Sequence, residues 1–320
     1  MNQKLAIIDL GTNTFHLLLA ELHENRYLIT HREKVAVKLG LGGINQDVIQ
    51  DEAIERAIEA LKNFSSTINQ YDAKTVYAFG TSALRNARNG HEVVEKIKQT
   101  TGLKVAIISG DKEAELIYQG VRSAIDLSHV PCLVVDIGGG SVEFIIGNQT
   151  TIFWKKSIEA GAQRLLEKFQ HHDPITTHEI QNLDQYFEIT LAEVLNALHL
   201  HQPKVLVGSS GTFDTLSDIH CIRHAIQTRP DDPETPLTLR SFYSIYQELI
   251  VKNREERLLI PGMIELRVDM IVVACCLIRF LLDKYSFNEI KVSSYSLKEG
   301  VLASKTSPAP PQQWEGGIGL

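Results

Sequence analysis

Leu5-Ala-Ile-Ile-Asp-Leu-Gly-Thr-Asn-Thr-Phe-His-Leu-Leu-Leu19 is two apolar runs divided by a short polar turn spanning Asp9 to Thr14. Apolar runs of this length, bounded by Gly, Thr and Asn, read as buried strands joined by a tight connection. The same order recurs in Leu133-Val-Val-Asp-Ile-Gly-Gly-Gly-Ser-Val-Glu-Phe-Ile-Ile146. Asp9 matches Asp136, Gly11 matches Gly138 and Thr14 matches Ser141, each pair at one common separation along the chain. A hairpin repeated at fixed offset points to a duplicated domain.

Working outward, Asp51 to Tyr71 carries Ile54, Ala57, Ile58, Leu61, Phe64 and Ile68 at helical spacing, and the run from Val76 to Phe79 follows as a buried strand. In the second half, 177–198 is expected as one helix, 204–207 as a strand, 266–285 as a mostly apolar helix and 291–295 as a last strand. Strands alternating with helices imply an α/β fold with sheets covered on both faces. The expected division is 1–125, 126–305 and a flexible tail at 306–320. The Pro- and Asp-rich segment 228–236 reads as a surface loop.

The chain has 320 residues, enough for two cores rather than one. With 43% hydrophobic and 22% charged residues it has the composition of an ordinary globular protein. The formal net charge of −7 argues against nucleic-acid binding through a general basic field. An anionic ligand must then be held by local groups. Cys132, Cys221, Cys275 and Cys276 show no Cys-x-x-Cys spacing and sit among apolar neighbours, so they read as reduced core thiols. Met270 to Ile278 is too short for a membrane span, which takes about 20 apolar residues. A cytoplasmic enzyme without a membrane partner is the expectation.

The two Asp-x-Gly turns place small residues where backbone amides can face an anion, since glycine tolerates the conformations of a phosphate-cradling nest. Gly11, Thr12, Asn13 and Thr14 form the first candidate; Gly138, Gly139, Gly140 and Ser141 form the second. Gly208, Ser209 and Gly211 make a third, between a strand and a helix whose N-terminus can face an anion. None is a Walker loop, and Glu143 stands where a dinucleotide fingerprint needs its third glycine. Asp9, Asp136 and Glu143 supply carboxylates of the kind that hold magnesium (Mg2+) or manganese (Mn2+). The acids of Gly110-Asp-Lys-Glu-Ala-Glu115 open a helix, where they either complement its dipole or take part in chemistry.

Asp9-Leu-Gly-Thr-Asn-Thr-Phe-His16, Gly80-Thr-Ser-Ala-Leu-Arg85, Ile108-Ser-Gly-Asp-Lys-Glu-Ala-Glu115, Asp136-Ile-Gly-Gly-Gly-Ser-Val-Glu143, Gly208-Ser-Ser-Gly-Thr212 and Ser296-Leu-Lys-Glu-Gly-Val301 occur in that order. Together they resemble the Ppx/GppA family of exopolyphosphatases and guanosine pentaphosphate phosphohydrolases. The resemblance implies two duplicated actin/sugar-kinase/Hsp70-like (ribonuclease H-like) domains around a central cleft. It also implies Glu113 as catalytic base, Asp136 and Glu143 serving the metal and the attacking water, and Arg85 holding a substrate phosphate. Those roles suit phosphoryl transfer, which needs an oriented water and cations that absorb charge on the transferred group. Val142 replaces a hydroxyl residue common in the family, and the chain ends where longer members continue. Short polyphosphate or a nucleotide polyphosphate is therefore the expected substrate, and pairing into a homodimer the expected assembly.

A kinase of the same fold class and a non-catalytic nucleotide or polyphosphate sensor are the competing readings. A water-activating Glu113 favours hydrolysis over the first. His220 and His224 are four residues apart, but no third ligand accompanies them, so no zinc site is expected. His171, His172, His199 and His201 read as exposed polar residues near helix ends.

Overall fold

A computed structural model describes residues 3–24, 26–229 and 232–306. The chain divides into two compact units, one reaching to Gly120 and resuming at Leu297, the other spanning Val121–Ser296.

The first unit contains β1 (Lys4–Leu10), β2 (Thr14–His23), β3 (Arg26–Ala36), α1 (Asp51–Gln70), β4 (Thr75–Gly80), α2 (Ser82–Asn86), α3 (Gly90–Thr101), β5 (Val105–Ile107) and α4 (Gly110–Ala124). Its sheet runs β3-β2-β1-β4-β5. The first three strands are antiparallel neighbours, and β4 and β5 join β1 in parallel. The helix expected after the hairpin is α1, which buries Ile54, Ala57, Leu61, Phe64 and Ile68 and starts with Asp51 and Glu52 complementing its dipole.

The second unit contains β6 (Cys132–Ile137), β7 (Val142–Gly147), β8 (Ile152–Ile158), α5 (Ala162–Phe169), α6 (Thr177–Thr190), α7 (Ala192–His201), β9 (Val205–Ser209), α8 (Gly211–Arg223), β10 (Glu234–Thr235), α9 (Leu239–Val251), α10 (Arg254–Leu258), α11 (Ile271–Lys284) and β11 (Glu289–Ser293). Read from β8, its sheet runs β8-β7-β6-β9-β11, with β10 added at the edge. That is the strand order of the first unit with the same parallel and antiparallel pairings. The duplication seen in the turns therefore extends to the whole sheets. In both copies the glycine of the Asp-x-Gly turn admits no side chain comfortably. A Cβ on Gly11 would lie 2.8 Å from the Thr14 carbonyl oxygen, and one on Gly138 would lie 3.1 Å from that of Ser141.

Several boundaries differ from the sequence expectation. The helix expected over 177–198 breaks at Leu191, whose buried side chain serves the core beneath both α6 and α7. The apolar helix begins at Ile271 rather than 266, because residues 264–270 form tight turns closed by Arg267 N–H on the Ile264 carbonyl. Glu234 and Thr235, expected in a loop, pair with β11. The last helix, α12 (Leu297–Thr306), belongs to the first unit and not the second. It packs on β1 and β3. Gly300 lets it approach α4 so closely that a Cβ there would meet the Leu116 carbonyl oxygen at 1.7 Å. Positions 307–320, which hold nearly all of the expected tail, lie outside the described residues, as do positions 230 and 231 of the expected loop.

All four cysteines are unpaired and buried, as their apolar surroundings suggest. Burial pushes the Cys132 and Cys276 thiols up to about 12. No helix among the described residues is long and apolar enough to cross a membrane.

Candidate functional site

In open α/β sheets ligands gather at the carboxyl ends of the strands. The candidate residues of each unit lie there. In the first unit Asp9 stands near the end of β1, Arg85 follows β4 on α2, and Glu113 follows β5 in the first turn of α4. In the second, Asp136 stands near the end of β6, Ser209 closes β9, and Ser296 follows β11.

The turn Gly138–Ser141 is held from behind by the start of α5. Ala162 N–H donates to the Gly138 carbonyl at 2.9 Å, Gln163 N–H to that of Gly139 at 2.9 Å and Gly161 N–H to that of Gly140 at 3.1 Å. Arg164 Nε adds a 3.0 Å bond to the Gly140 carbonyl. In a trans peptide the N–H points opposite to the preceding C=O. Fixing three successive carbonyls toward α5 therefore turns the amides of Gly139, Gly140 and Ser141 away from it. A row of outward amides has the direction that an anion-binding turn requires. Gly161 makes the fit possible, since a Cβ there would lie 2.4 Å from the carbonyl carbon of Gly139.

Asp136 and Glu143 face each other across the β6–β7 pair, and Asp136 also stands beside Ser209 in the parallel register with β9. Both acids are buried. Glu143 accepts the Ser157 hydroxyl at 2.7 Å. Asp136 accepts three hydroxyls at Oδ2: Ser209 at 2.5 Å, Ser296 at 2.6 Å and Ser210 at 2.7 Å. Among the described residues Oδ1 accepts Ser210 alone, at 2.8 Å. Ser210 holds φ 69° and ψ 172°, a region nearly confined to glycine.

Next in the chain, Gly211 starts α8 with the Arg267 guanidinium against it, 2.1 Å from where a Cβ would lie. Burial pushes the Arg267 guanidinium below its ordinary value, against the opposing pull of the Asp214 and Asp136 charges. Sequence reading missed Ser210, Ser296, Arg164 and Arg267 as site residues. Ser210 lies in the Gly208–Thr212 turn, Ser296 opens the last motif and Arg267 opens an Arg-x-Asp sequence similar to a family signature, whereas nothing local marks Arg164.

In the first unit the turn Thr12–Thr14 is buried and pinned by the chain just after β3. Lys38 N–H donates to the Asn13 carbonyl at 2.8 Å and Gly40 N–H to that of Thr12 at 2.9 Å. Arg85, expected on a substrate phosphate, donates from Nη1 to Glu113 Oε2 at 2.7 Å and to the Ile108 carbonyl at 3.2 Å. The two side chains given separate tasks by the sequence thus form one ion pair, and Glu113 is buried.

Among the described residues no group of three or more His, Cys, Asp or Glu side chains could hold a metal ion. Magnesium does not require one, because it takes one or two carboxylates and keeps several waters. Asp136 fits that demand, with hard oxygen donors and a lighter load of hydrogen bonds on Oδ1 than on Oδ2. His220 and His224 instead pack ring against ring, with centroids 4.5 Å apart, and burial followed by the His224 charge pushes His220 down. His171 and His172 are exposed, yet their backbone amides both donate to the buried Glu179 carboxylate.

The model of the Ppx/GppA phosphatase family matches residues 19–308. The chain belongs to that family. A crystal structure of an exopolyphosphatase from Cytophaga hutchinsonii is 42% identical to this member, covering 95% of this chain and 98% of that one with a TM-score of 0.92. A bifunctional 3-dehydroquinate synthase/phosphatase of Fusobacterium nucleatum is 30% identical over 301 residues, which is 90% of this chain and 44% of that protein. A guanosine-5'-triphosphate,3'-diphosphate pyrophosphatase of Pseudoalteromonas translucida is 27% identical over 299 residues, 93% of this chain and 58% of that protein. This family member therefore spans about half the length of these two curated relatives.

Proposed function

We propose that this Ppx/GppA phosphatase is an exopolyphosphatase that releases orthophosphate from the end of inorganic polyphosphate by attack of water on the terminal phosphorus. The observation that carries the reading is the Gly138–Ser141 turn, whose amides are directed outward by α5 beside the Asp136 and Glu143 carboxylates. Its amides would receive phosphate oxygens, as would Gly11 to Thr14 and the Gly208–Gly211 turn. Glu113 would take the proton of the attacking water as general base, held in place by Arg85. Arg85 would also bind a phosphate oxygen, and Glu143 would orient the water. Asp136, with Glu143 facing it across β6 and β7, would hold magnesium or manganese, which when bound supplies positive charge to the transferred group.

The similarity to a guanosine-5'-triphosphate,3'-diphosphate pyrophosphatase gives the second reading, a guanosine pentaphosphate 5'-phosphohydrolase. Orthophosphate release from polyphosphate, guanosine pentaphosphate and ATP, each with and without magnesium, separates the two. Magnesium-dependent release from polyphosphate is the expected result. Release from guanosine pentaphosphate alone selects the second reading, and tight binding without release leaves a sensor. Glu113→Gln is expected to lower turnover by on the order of 10²–10⁴ with binding retained. Unchanged turnover removes Glu113 as the base.

A further inference from the structure

The Asp136 carboxylate is gripped by the hydroxyls of Ser209, Ser210 and Ser296. Three hydroxyls from two separate stretches of chain converge on Oδ2, and Ser210 and Ser296 also lie 3.4 Å apart, oxygen to oxygen. The grip has a backbone cost, because Ser210 makes these bonds while held at φ 69° and ψ 172°, a region nearly confined to glycine. Loading Oδ2 while Oδ1 takes a single hydroxyl sets the plane of the carboxylate and leaves Oδ1 the better placed oxygen for a cation.

We propose that Ser210 and Ser296 are positioning residues: they orient Asp136 so that Oδ1 meets a hydrated divalent cation. The inference rests on the proposed cation-holding role of Asp136. Hydrogen-bonding partners behind a metal ligand commonly change metal affinity by about 10–100-fold when removed. Two features distinguish this role from a structural one. A hydroxyl is required at 296, so Ser296→Thr should serve where Ser296→Ala fails. At 210 the strain and the function oppose each other, so Ser210→Gly should relax the backbone while removing the donor.

The test is Mn2+ binding to the full chain, followed by the electron paramagnetic resonance signal of the unbound ion, with thermal melting of the same samples in metal chelator. Ser296→Ala is expected to weaken Mn2+ binding by on the order of 10-fold or more, Ser296→Thr to restore most of it, and Ser210→Gly to bind more weakly while melting higher. Wild-type affinity in both Ser296→Ala and Ser210→Gly, with binding lost in Asp136→Asn, overturns the inference and leaves the role of Asp136 standing. Wild-type affinity in Asp136→Asn overturns that role and the inference together. Should Ser296→Ala not fold, Ser210→Gly decides: weaker binding with higher melting supports the inference, and unchanged binding overturns it.

Discussion

Arg85 and Glu113 are each nearly enclosed, with 15% and 9% of the side chain exposed, so neither can be altered without consequence for the other. Breaking a buried pair by removing one partner leaves an uncompensated charge and costs about 3–5 kcal/mol. Arg85→Ala should therefore lower the melting temperature as well as raise the substrate concentration needed, as differential scanning fluorimetry beside steady-state kinetics will show. The sequence placed both residues at strand ends but gave Arg85 only a substrate to hold. Their pairing depends on the parallel alignment of β4 and β5, which no local pattern discloses.

Glu179 is a second residue whose environment has a measurable consequence. Burial alone would raise its carboxyl, but bonds from Thr176 N–H, the His172 ring, His171 N–H and the Thr176 hydroxyl outweigh that, and it falls from 4.5 to about 2. A depressed carboxyl stabilises the fold above its unfolded value, and the contribution disappears as pH falls from about 4.5 toward 2. Urea midpoints for wild type and Glu179→Gln should differ most at neutral pH and converge across that acid range.

At the level of elements, the start of α5 works as a clamp on the glycine turn. Gly161 sits at φ −67° and ψ 160°, a conformation open to alanine, so only the missing side chain explains the residue. Gly161→Ala would drive a methyl group into the Gly139 and Gly140 backbone. The expected result is a loss of at least the about 1–3 kcal/mol typical of overpacking, with weaker phosphate binding by calorimetry. Unchanged stability and affinity would mean the turn can move without loss. The hairpins and α1 were legible because their apolar periods are undisturbed. The division of α6 from α7 was not, since an apolar series that serves one core continues across Leu191 with its helical spacing intact. β10 was equally obscure, because two residues beside Pro233 and Pro236 carry no strand signal and owe their pairing to β11 alone.

Across the whole molecule the duplication was readable from two turns, since each copy repeats the same acid and glycine before the same hairpin. The return of α12 to the first unit was not readable, as its contacts with β1 and β3 join the two ends of the described chain. Only Gly300 hinted at it, and a glycine within a helix has many causes. One asymmetry between the halves remains useful. Cys132, Cys221, Cys275 and Cys276 all lie between Val121 and Ser296, and the first unit has none. With every sulfur enclosed, iodoacetamide should leave the native protein unlabelled and add mass only when the second half opens. Comparing the pace of that alkylation with circular dichroism in urea will show whether one half comes apart before the other, with no engineered probe.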